Sequence, residues 1–450
     1  MLALSIAATF SAFALASVRN GPLRAAVLAV AFAALAAVLA NRAWLDTLTL
    51  RGVLVTSVCA IAIAAAIPPR ESRDVWSYAF YGRTVVEYNE SPYVTVPDDH
   101  PDDPYYERVG AGWRDTPSVY GPLFTVVSAG FMRVAGESHH LARLQFQLLT
   151  AAAAVAALVL LARATRSAAV VAAIGLNPLI LYSVVNSAHN DMLIGLCVLG
   201  AALLAARGRD LPAALVLAVA VMIKVTAGLA LPALLLWTWH RRGASRAAAA
   251  GGVAFATLIL GFGAVGRLDA IRALSDAGDQ LSRGSIWQMM RPGGWDRLFS
   301  FAQRAAQPLP STTAVVAITA TAALALWLAY TRRRDATPAL ALGAALAAYL
   351  LAAAYVLPWY AAWVLPVLAL QWRSGLAVLV AAQSALWSVA YQYERGLPSG
   401  PANRVLWLLA AGTIAFNLIA LALLAVSGWQ RERDARRSDR HAAPSADVAR

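Results

Sequence analysis

Long apolar runs recur along the whole chain and alternate with short polar stretches. A run of this kind predicts a transmembrane helix, because about 20 residues at ~1.5 Å rise cross a hydrocarbon core of about 30 Å. The runs, roughly fourteen by their length, are 1–18, 22–41, 53–69, 119–137, 141–162, 168–187, 191–206, 211–239, 245–266, 311–330, 337–356, 359–372, 374–392 and 403–427. The pattern predicts an all-α, polytopic integral membrane protein with about 12–14 transmembrane helices.

Three runs need separate interpretation. The run 211–239 is long enough for one tilted helix or for a broken pair, and 359–372 is short enough to be re-entrant or strongly bent. The run 1–18 lacks a basic segment before it and is followed at once by further apolar runs. We therefore expect it to be a retained helix rather than a cleaved signal peptide.

Arginine-rich loops orient the predicted helices. The tail after Trp429 is basic and polar, so the positive-inside rule assigns it to the cytoplasm. Counting spans back from the tail puts two long polar loops, 70–118 and 267–310, on the outer face. The same count puts the polar turn 186–191 in the cytoplasm. We expect one transmembrane domain over 1–430, with a disordered cytoplasmic tail over 431–450.

Composition supports the membrane assignment and narrows the partners. The hydrophobic fraction is 60% and the mean hydropathy is +0.60, which exceeds what a soluble chain needs for its core. The net charge of +13 is spread over short loops and the tail, where it orients the chain in a lipid bilayer rather than binding nucleic acid. Cys59 and Cys197 both lie inside apolar runs, so neither a disulfide nor a thiolate metal site is expected.

The loop 70–118 is the first candidate for chemistry, since a loop of this length is more often functional than a mere connection. Asp74 lies at its root, where it is either a general base for an acceptor hydroxyl or a solvated carboxylate at a helix end. The acidic run 98–103 lacks the spacing of a calcium loop and is interpreted as a mobile acidic segment. Aromatic residues are abundant in the loop, either as sugar-stacking platforms or as an interfacial belt: Tyr78, Tyr81, Tyr88, Tyr93, Tyr105, Tyr106, Trp113 and Tyr120.

Polar residues inside apolar segments are the second group of candidates. Lys224 is the only lysine of the chain and lies within an apolar run, where an ammonium needs a phosphate, a buried ion-pair partner or a route to the interface. His189 and Asp191 lie in a polar turn and either belong to a site or cap the next helix. Pro358 and the residues after it interrupt a late apolar run, as a kink or as the wall of a cavity.

Nucleotide-binding and hydrolase motifs are absent from the sequence, including the P-loop, GxGxxG, HExxH and GxSxG patterns. No cofactor is expected. Any activated donor would have to reach the protein through the membrane, attached to a lipid.

Seven short motifs follow one another along residues 70–372. They are Asp74-x-x-x-Tyr78-x-x-x-Gly82, Ser91-Pro92-Tyr93, Tyr120-Gly121-Pro122-Leu123, Asn177-Pro178-Leu179, Asn186-x-x-His189-Asn190-Asp191, Lys224-x-Thr226 and Pro358-Trp359-Tyr360. In this order and spacing the chain resembles polyprenyl-phosphate-sugar-dependent glycosyltransferases of the GT-C superfamily. Among these it is most similar to bacterial α-mannosyltransferases of glycosyltransferase family 87 and the polyprenol-phosphomannose-dependent type.

This resemblance implies transfer of a hexose, with mannose expected, from a polyprenyl-phosphate donor to a glycan or glycolipid acceptor, with inversion at the anomeric carbon. It implies a bacterial inner membrane protein with its site on the extracytoplasmic face, no bound metal and no nucleotide sugar. By the resemblance Asp74 is the general base. Lys224, Arg143 and Arg291 are the candidates for binding the donor phosphate. The candidates for substrate contact are Tyr78, Tyr93, Tyr120, His189, Asp191, Trp359 and Tyr360.

Two alternatives remain open from the sequence. A flippase or transporter of lipid-linked sugars would line a through-path with polar residues and would not need one carboxylate at a loop root. An O-antigen ligase or polymerase would use a diphosphate-linked donor and would carry its large catalytic loop late in the chain, whereas the longest loop here is early.

Overall fold

The computed structural model describes residues 21–276, 280–290, 310–392 and 401–442. All regular secondary structure in this described part is helical. The α-helices, numbered in chain order, are α1 Gly21–Ala40, α2 Arg42–Leu45, α3 Leu50–Ala66, α4 Asp74–Val86, α5 Pro122–Ala135, α6 His139–Thr165, α7 Ala168–Gly175, α8 Asp191–Ala206, α9 Asp210–Ile223, α10 Ala230–Arg242, α11 Ala244–Ala264, α12 Arg267–Asp276, α13 Ser311–Thr331, α14 Ala339–Ala352, α15 Leu365–Ala369, α16 Gly375–Tyr391 and α17 Pro401–Ala442.

Several of these helices are long and apolar enough to cross a membrane. Within the described residues five qualify, or six if a bent pair counts as one span, and six further apolar helices have 10–17 residues. The five are α1, α6, α11, α13 and most of α17. This confirms the predicted all-α, polytopic membrane protein, while the figure of 12–14 crossings stays a prediction.

The irregular segments fall where polar residues or prolines interrupt apolar runs. The run 211–239 is a broken pair, because α9 ends at Lys224 and a short 3-10 helix, Val225–Leu229, leads into α10. The run 359–372 consists of a 3-10 helix, Pro358–Trp363, followed by the five residues of α15. The run predicted as one helix over 168–187 is α7 followed by a π-helical segment, Leu179–Asn186, bent by 48° relative to it.

The second long loop supports one of these irregular segments. Ser282 exchanges hydrogen bonds with Val356, its hydroxyl donating to the carbonyl at 2.7 Å and accepting from the N–H at 2.6 Å. Ser285 donates to the carbonyl of Ala353, and the Trp287 indole donates to the carbonyl of Ala352. Peptide groups that leave a helix in an apolar environment must find such partners. The described residues 282–287 of this loop therefore pack against the protein body around 352–356.

The first long loop is folded rather than open or mobile, because it begins with α4 and is closed by a buried ion pair. The Arg83 guanidinium donates to Asp103 at 2.8 Å, and the Tyr88 hydroxyl donates to the same carboxylate oxygen at 2.7 Å. Farther along, the N–H of Ser118 donates to the carbonyl of Pro92 at 2.8 Å. Part of the acidic run is thus structural.

The outer part of this loop carries two groups with shifted protonation equilibria. Burial, together with the hydrogen bond to Asp103, raises the pKa of Tyr88 to about 12. Hydrogen bonds from His100 and Thr95 lower the pKa of the Glu90 carboxyl. The His100 ring also stacks on the Tyr88 ring, with 3.7 Å between centroids. These contacts fix the loop at its surface end.

The C-terminal helix extends farther than the sequence predicts. The expected disordered tail begins at residue 431, yet α17 continues to Ala442. Its polar end is held by ion pairs to the loop after α13, one from Arg431 to Asp335 at 3.0 Å and one from Glu432 to Arg333 at 2.6 Å. Residues 443–450 lie outside the described part of the chain.

Asn186 joins the two segments that carry the candidate site. Its amide nitrogen lies 3.0–3.3 Å from three carbonyl oxygens just at or after the end of α3, those of Ala64, Ile67 and Pro68. Its amide oxygen accepts from the N–H of Arg70. Gln147 on α6 completes the junction by donating to the carbonyls of Ile67 and Asn186, both at 2.7 Å. The chain just before Asp74 is therefore held to the end of the π-helical segment.

We expect Asn186→Ala to lower the thermal stability of the protein. The substitution leaves buried carbonyls and one N–H without partners, which costs about 1–3 kcal/mol in free energy of unfolding. Asn186→Asp should cost at least as much, since it places a carboxylate oxygen against carbonyl oxygens. Thermal unfolding in detergent measures the effect. Gln371→Ala, at an exposed amide, is the control and should change stability by less than about 0.5 kcal/mol. Equal melting temperatures for Asn186→Ala and the control would contradict this account.

Candidate active site

A cavity of about 440 Å³ opens beside the first long loop. This size is within the range of small-molecule sites. Its polar and aromatic lining comes from Asp74, Ser77, Tyr81, Trp113, Tyr120, Lys224, Thr226, Gln280, Thr321, Tyr349, Tyr355 and Tyr360. Its apolar lining comes from Val119, Val225, Gly228, Leu229, Ala317, Ile318, Ala322, Ala353, Ala354 and Leu357. The lining therefore contains two chemically different groups of residues, which we call the polar wall and the apolar wall.

Asp74 is the one carboxylate among the described residues that line the cavity. It begins α4, where the helix dipole and the free N–H groups of the first turn stabilise negative charge. The Ser72 hydroxyl donates to one carboxylate oxygen at 2.5 Å and accepts from the N–H of Asp74 at 3.1 Å. The side chain remains about 25% exposed. Asp74 is thus oriented by its neighbours and still accessible from the cavity.

His189 lies behind Asp74, away from the cavity lining. Its Nδ1 atom is 3.4 Å from Oδ2 of Asp74 and 3.9 Å from Oδ2 of Asp191, and the side chain is fully buried. The imidazole stacks on the Trp359 indole, with 3.9 Å between centroids and 16° between planes. Stacking fixes the plane of the ring. In this orientation the Nδ1 atom of His189 faces the carboxylates of both Asp74 and Asp191.

The position of His189 corrects the predicted topology. The count of apolar runs assigned the turn 186–191 to the cytoplasm and Asp74 to the outer face, yet the two side chains are in contact. The count treats 168–187 as one straight crossing, whereas the structure has a pair of short helices bent by 48°. The turn 186–191 consequently meets the chain at Asp74, which lines the cavity.

Lys224 forms a buried ion pair with Asp191, with 3.1 Å between Nζ and Oδ1. The Trp363 indole donates to the same oxygen at 2.5 Å. The ammonium also lies 4.0 Å from the centroid of the Tyr360 ring, within the range of a cation–π contact. Lys224 still lines the cavity, with 11% of its side chain exposed. The negative charge of Asp191 is therefore compensated by Lys224, and the exposed part of the Lys224 side chain can still contact a second anion.

Close backbone contacts at two glycines bring these segments together. At Gly195 on α8, a Cβ atom would lie 2.0 Å from the carbonyl oxygen of Ala362. At Gly121, a Cβ atom would lie 2.2 Å from the carbonyl oxygen of Met222. The N–H of Gly121 also donates to the carbonyl of Ile223 at 2.9 Å. Larger residues would therefore push α8 and the root of the loop away from the cavity.

Of the remaining predicted contact residues, the structure brings only some to the cavity. Tyr120 and Tyr360 line it. Tyr78 is buried behind Tyr120 with 4.9 Å between ring centroids, and Trp359 lies behind His189. Tyr93 donates to or accepts from the Thr125 hydroxyl in a separate buried cluster, outside the cavity lining.

The two arginines predicted to bind phosphate have different outcomes. Arg143 is buried on α6, where its guanidinium donates to Gln147 at 2.8 Å and lies near His140 and the carbonyl of Ala66. It is outside the described cavity lining, so its predicted role loses its geometric basis. Arg291 lies outside the described residues.

Several lining residues had no individual prediction from the sequence. Tyr349 and Tyr355 come from the end of α14 and the segment after it, and Thr226 from the break after Lys224. Tyr355 lies three residues before the Pro358 break, so that break was the signal that pointed to it. The Thr226 hydroxyl oxygen is buried and finds no hydrogen-bond partner among the described residues.

We expect Lys224→Ala to destabilise the protein strongly, because it leaves the Asp191 carboxylate buried and unpaired. Loss of one partner of a buried ion pair costs about 3–5 kcal/mol. The double variant Lys224→Gln with Asp191→Asn should recover much of this loss, since the introduced amide oxygen still accepts from Trp363. Melting temperatures of the three proteins in detergent measure the effect. A double variant as unstable as Lys224→Ala would contradict a pairing role for the lysine.

Comparison with known proteins gives two family matches. Residues 5–241 match a family described as "Alpha-(1->6)-mannopyranosyltransferase, N-terminal domain", and residues 296–426 match "MptB C-terminal domain". The first match alone covers more than half of the chain and includes Asp74, His189, Asp191 and Lys224.

Two curated relatives are similar over part of their length. Alpha-(1->6)-mannopyranosyltransferase A of Mycobacterium tuberculosis is 31% identical over 196 residues, which is 41% of this chain and 36% of the relative. The protein of the same name from Corynebacterium glutamicum is 29% identical over 170 residues, 36% of this chain and 34% of the relative. The alignments thus span about a third of each relative, and no solved structure matches. The first family match extends over more than half of the residues of this chain, so the chain belongs to the alpha-(1->6)-mannopyranosyltransferase family.

Proposed function

We propose that this protein transfers a mannosyl residue from a polyprenyl-phosphate donor to a glycan or glycolipid acceptor, with inversion at the anomeric carbon. The observation that carries the proposal is Asp74, the one carboxylate among the described cavity residues, at a cavity that combines polar and apolar walls. Membership of the mannosyltransferase family and the names of the two relatives support the choice of mannose.

The proposed chemistry is a single displacement. The acceptor oxygen attacks C1 of mannose, the bond from C1 to the phosphate oxygen breaks, and its electron pair leaves with the polyprenyl phosphate. Asp74 takes the proton of the acceptor hydroxyl as the new bond forms. A double displacement would require a second carboxyl group at the sugar. Asp191 is unsuited to that role, since it is buried and paired with Lys224.

His189 is a positioning residue in this scheme. Its contact with Oδ2 of Asp74 and the contact of Ser72 with Oδ1 fix both oxygens of the base. A base held in one orientation spends less free energy on alignment in the transition state. The stacked Trp359 in turn holds the imidazole.

Lys224 and Thr226 are the residues we assign to the leaving phosphate. Negative charge grows on the phosphate as the bond to C1 breaks, and a nearby ammonium stabilises it more in the transition state than in the ground state. Thr226 lines the same cavity, and its buried hydroxyl finds no partner among the described residues. An oxygen of the donor phosphate would accept a hydrogen bond from this hydroxyl.

The apolar wall suits the lipid part of the donor. Val225 and Ile318 both line the cavity and are 38% and 58% exposed at the surface of the protein. In a membrane protein such exposed apolar side chains face lipid. A polyprenyl chain entering between them would bring its phosphate toward Lys224. We propose that the loop 70–118, and with it the site, lies on the outer face of the bacterial inner membrane.

We expect Asp74→Asn to reduce mannosyl transfer by at least about 10²-fold, because the amide cannot accept the proton. The assay is radiolabel transfer from polyprenyl-phospho-mannose in membranes, with chemical analysis of the product. Parallel reactions with polyprenyl-phospho-glucose and polyprenyl-phospho-arabinose test the choice of sugar.

Asp115→Asn is the matched control, because Asp115 is an exposed carboxylate of the same loop. It should transfer mannose at the wild-type rate. Melting temperatures of both variants should match that of the wild type within a few degrees. Full activity of Asp74→Asn would remove this residue as the base, and transfer of glucose or arabinose in place of mannose would overturn the choice of sugar.

A further inference from the structure

A row of aromatic rings runs along one wall of the cavity. Trp113 of the first long loop is 6.4 Å from Tyr355, and Tyr355 is 6.5 Å from Tyr360, measured between ring centroids. Tyr360 lies directly under the Lys224 ammonium, 4.0 Å away. All four residues line the cavity. The row therefore connects the folded outer loop with the cation that we assign to the donor phosphate.

Trp113 is held in place by the loop around it. Its N–H donates to the carbonyl of Gly110 at 2.8 Å, and its ring packs against the buried cluster that includes Tyr81. The Tyr81 hydroxyl donates to the carbonyl of Thr116 at 2.8 Å, which ties the following residues to α4. The indole is only partly buried, so one part of a fixed ring remains free to contact a ligand.

Tyr355 is held equally well from the other side. It follows α14 in the irregular segment whose peptide groups bond to the second long loop. Ser282 bonds to Val356 next to it, and the N–H of Ser282 donates to the carbonyl of Ala354 at 3.0 Å. The two rings therefore come from two different loops, and each backbone is fixed before a ligand arrives.

This wall differs from the one that suits a lipid. Flat rings with polar edges, fixed in advance, bind the C–H faces of a sugar and its hydroxyls at a low cost in conformational entropy. A glycan lying along the row would place its terminal hydroxyl beside Asp74, which lines the same cavity. The sugar before the terminal one would then face Trp113 and Tyr355.

We infer that Trp113 and Tyr355 form a binding site for the second sugar of an acceptor glycan, so that the enzyme distinguishes acceptors by length. The inference rests on the proposed mannosyl transfer, and it adds two residues that recognise the acceptor beyond its terminal sugar. Neither residue touches the reacting atoms, so both act on acceptor binding rather than on the chemical step.

Two synthetic acceptors test the inference, octyl α-mannoside and octyl α-(1→6)-mannobioside, with polyprenyl-phospho-mannose as the donor. We expect the wild type to have a lower KM for the disaccharide. Trp113→Ala and Tyr355→Ala should each raise that KM by about five- to tenfold, the value of one good aromatic contact. The KM for the monosaccharide, the KM for the donor and kcat should stay within about twofold.

Conservative and distant variants complete the test. Trp113→Phe keeps an aromatic ring and should retain most of the preference for the disaccharide, even if Trp113→Ala folds poorly. Trp44→Ala is the matched tryptophan control and should behave as the wild type. Trp44 lies on α2, just before α3 begins, whereas Asp74 follows the other end of α3.

The outcomes separate the two proposals. Mannosyl transfer by the wild type with an unchanged preference in Trp113→Ala and Tyr355→Ala would overturn the inference alone. An equal rise in KM for both acceptors, or a rise for the donor, would overturn it as well. Absence of mannosyl transfer by the wild type to either acceptor would overturn the proposed function and, with it, this inference.

Discussion

Peptide groups that leave a helix inside an apolar body must find hydrogen-bond partners, and the candidate site depends on how this chain meets that requirement. Asn186 and Gln147 bond to the end of α3 and the residues after it, which holds Asp74 near His189. Ser282 and Ser285 perform the same task for the segment that carries Tyr355. These two segments are thus fixed by side chains from another part of the chain, and functional groups on irregular backbone gain the precision of a rigid scaffold.

Charge pairing gives the two carboxylates of the site different chemistry. Asp191 is fully enclosed and accepts hydrogen bonds from Lys224 and Trp363, so its negative charge is already compensated. Asp74 contacts a hydroxyl and an imidazole and remains partly exposed to the cavity. Two carboxylates close together in an apolar environment would otherwise raise each other's proton affinity. Because the Lys224 cation pairs with Asp191, Asp74 is the carboxylate that we propose exchanges a proton with a substrate.

The sequence predicted the helical membrane fold, which depends on local pattern. It left 211–239 open between one tilted helix and a broken pair, and it did not predict the bend within 168–187. Lys224 and Pro358 interrupt apolar runs, and the structure has irregular segments at both. Distances between segments are not a local property, so the sequence alone assigned His189 and Asp74 to opposite faces although their side chains are in contact. Nor did the pattern show that Arg143 bonds to Gln147 rather than to a ligand. The loop 70–118 was interpreted as mobile in its acidic part, since the partner of Asp103 lies twenty residues earlier in Arg83.

In the proposed inverting transfer between a lipid and a glycan, the polar and the apolar wall of the cavity have separate tasks. The attacking oxygen and the leaving phosphate must lie on opposite sides of C1, so one substrate cannot approach along the path of the other. A donor chain is stable only against apolar side chains such as Val225 and Ile318, whereas an acceptor glycan needs polar edges and flat rings. The aromatic row from Trp113 to Tyr360 begins in the folded loop and ends at Lys224. On this view the first long loop is part of the substrate site, and its buried Arg83–Asp103 pair keeps the acceptor wall in position.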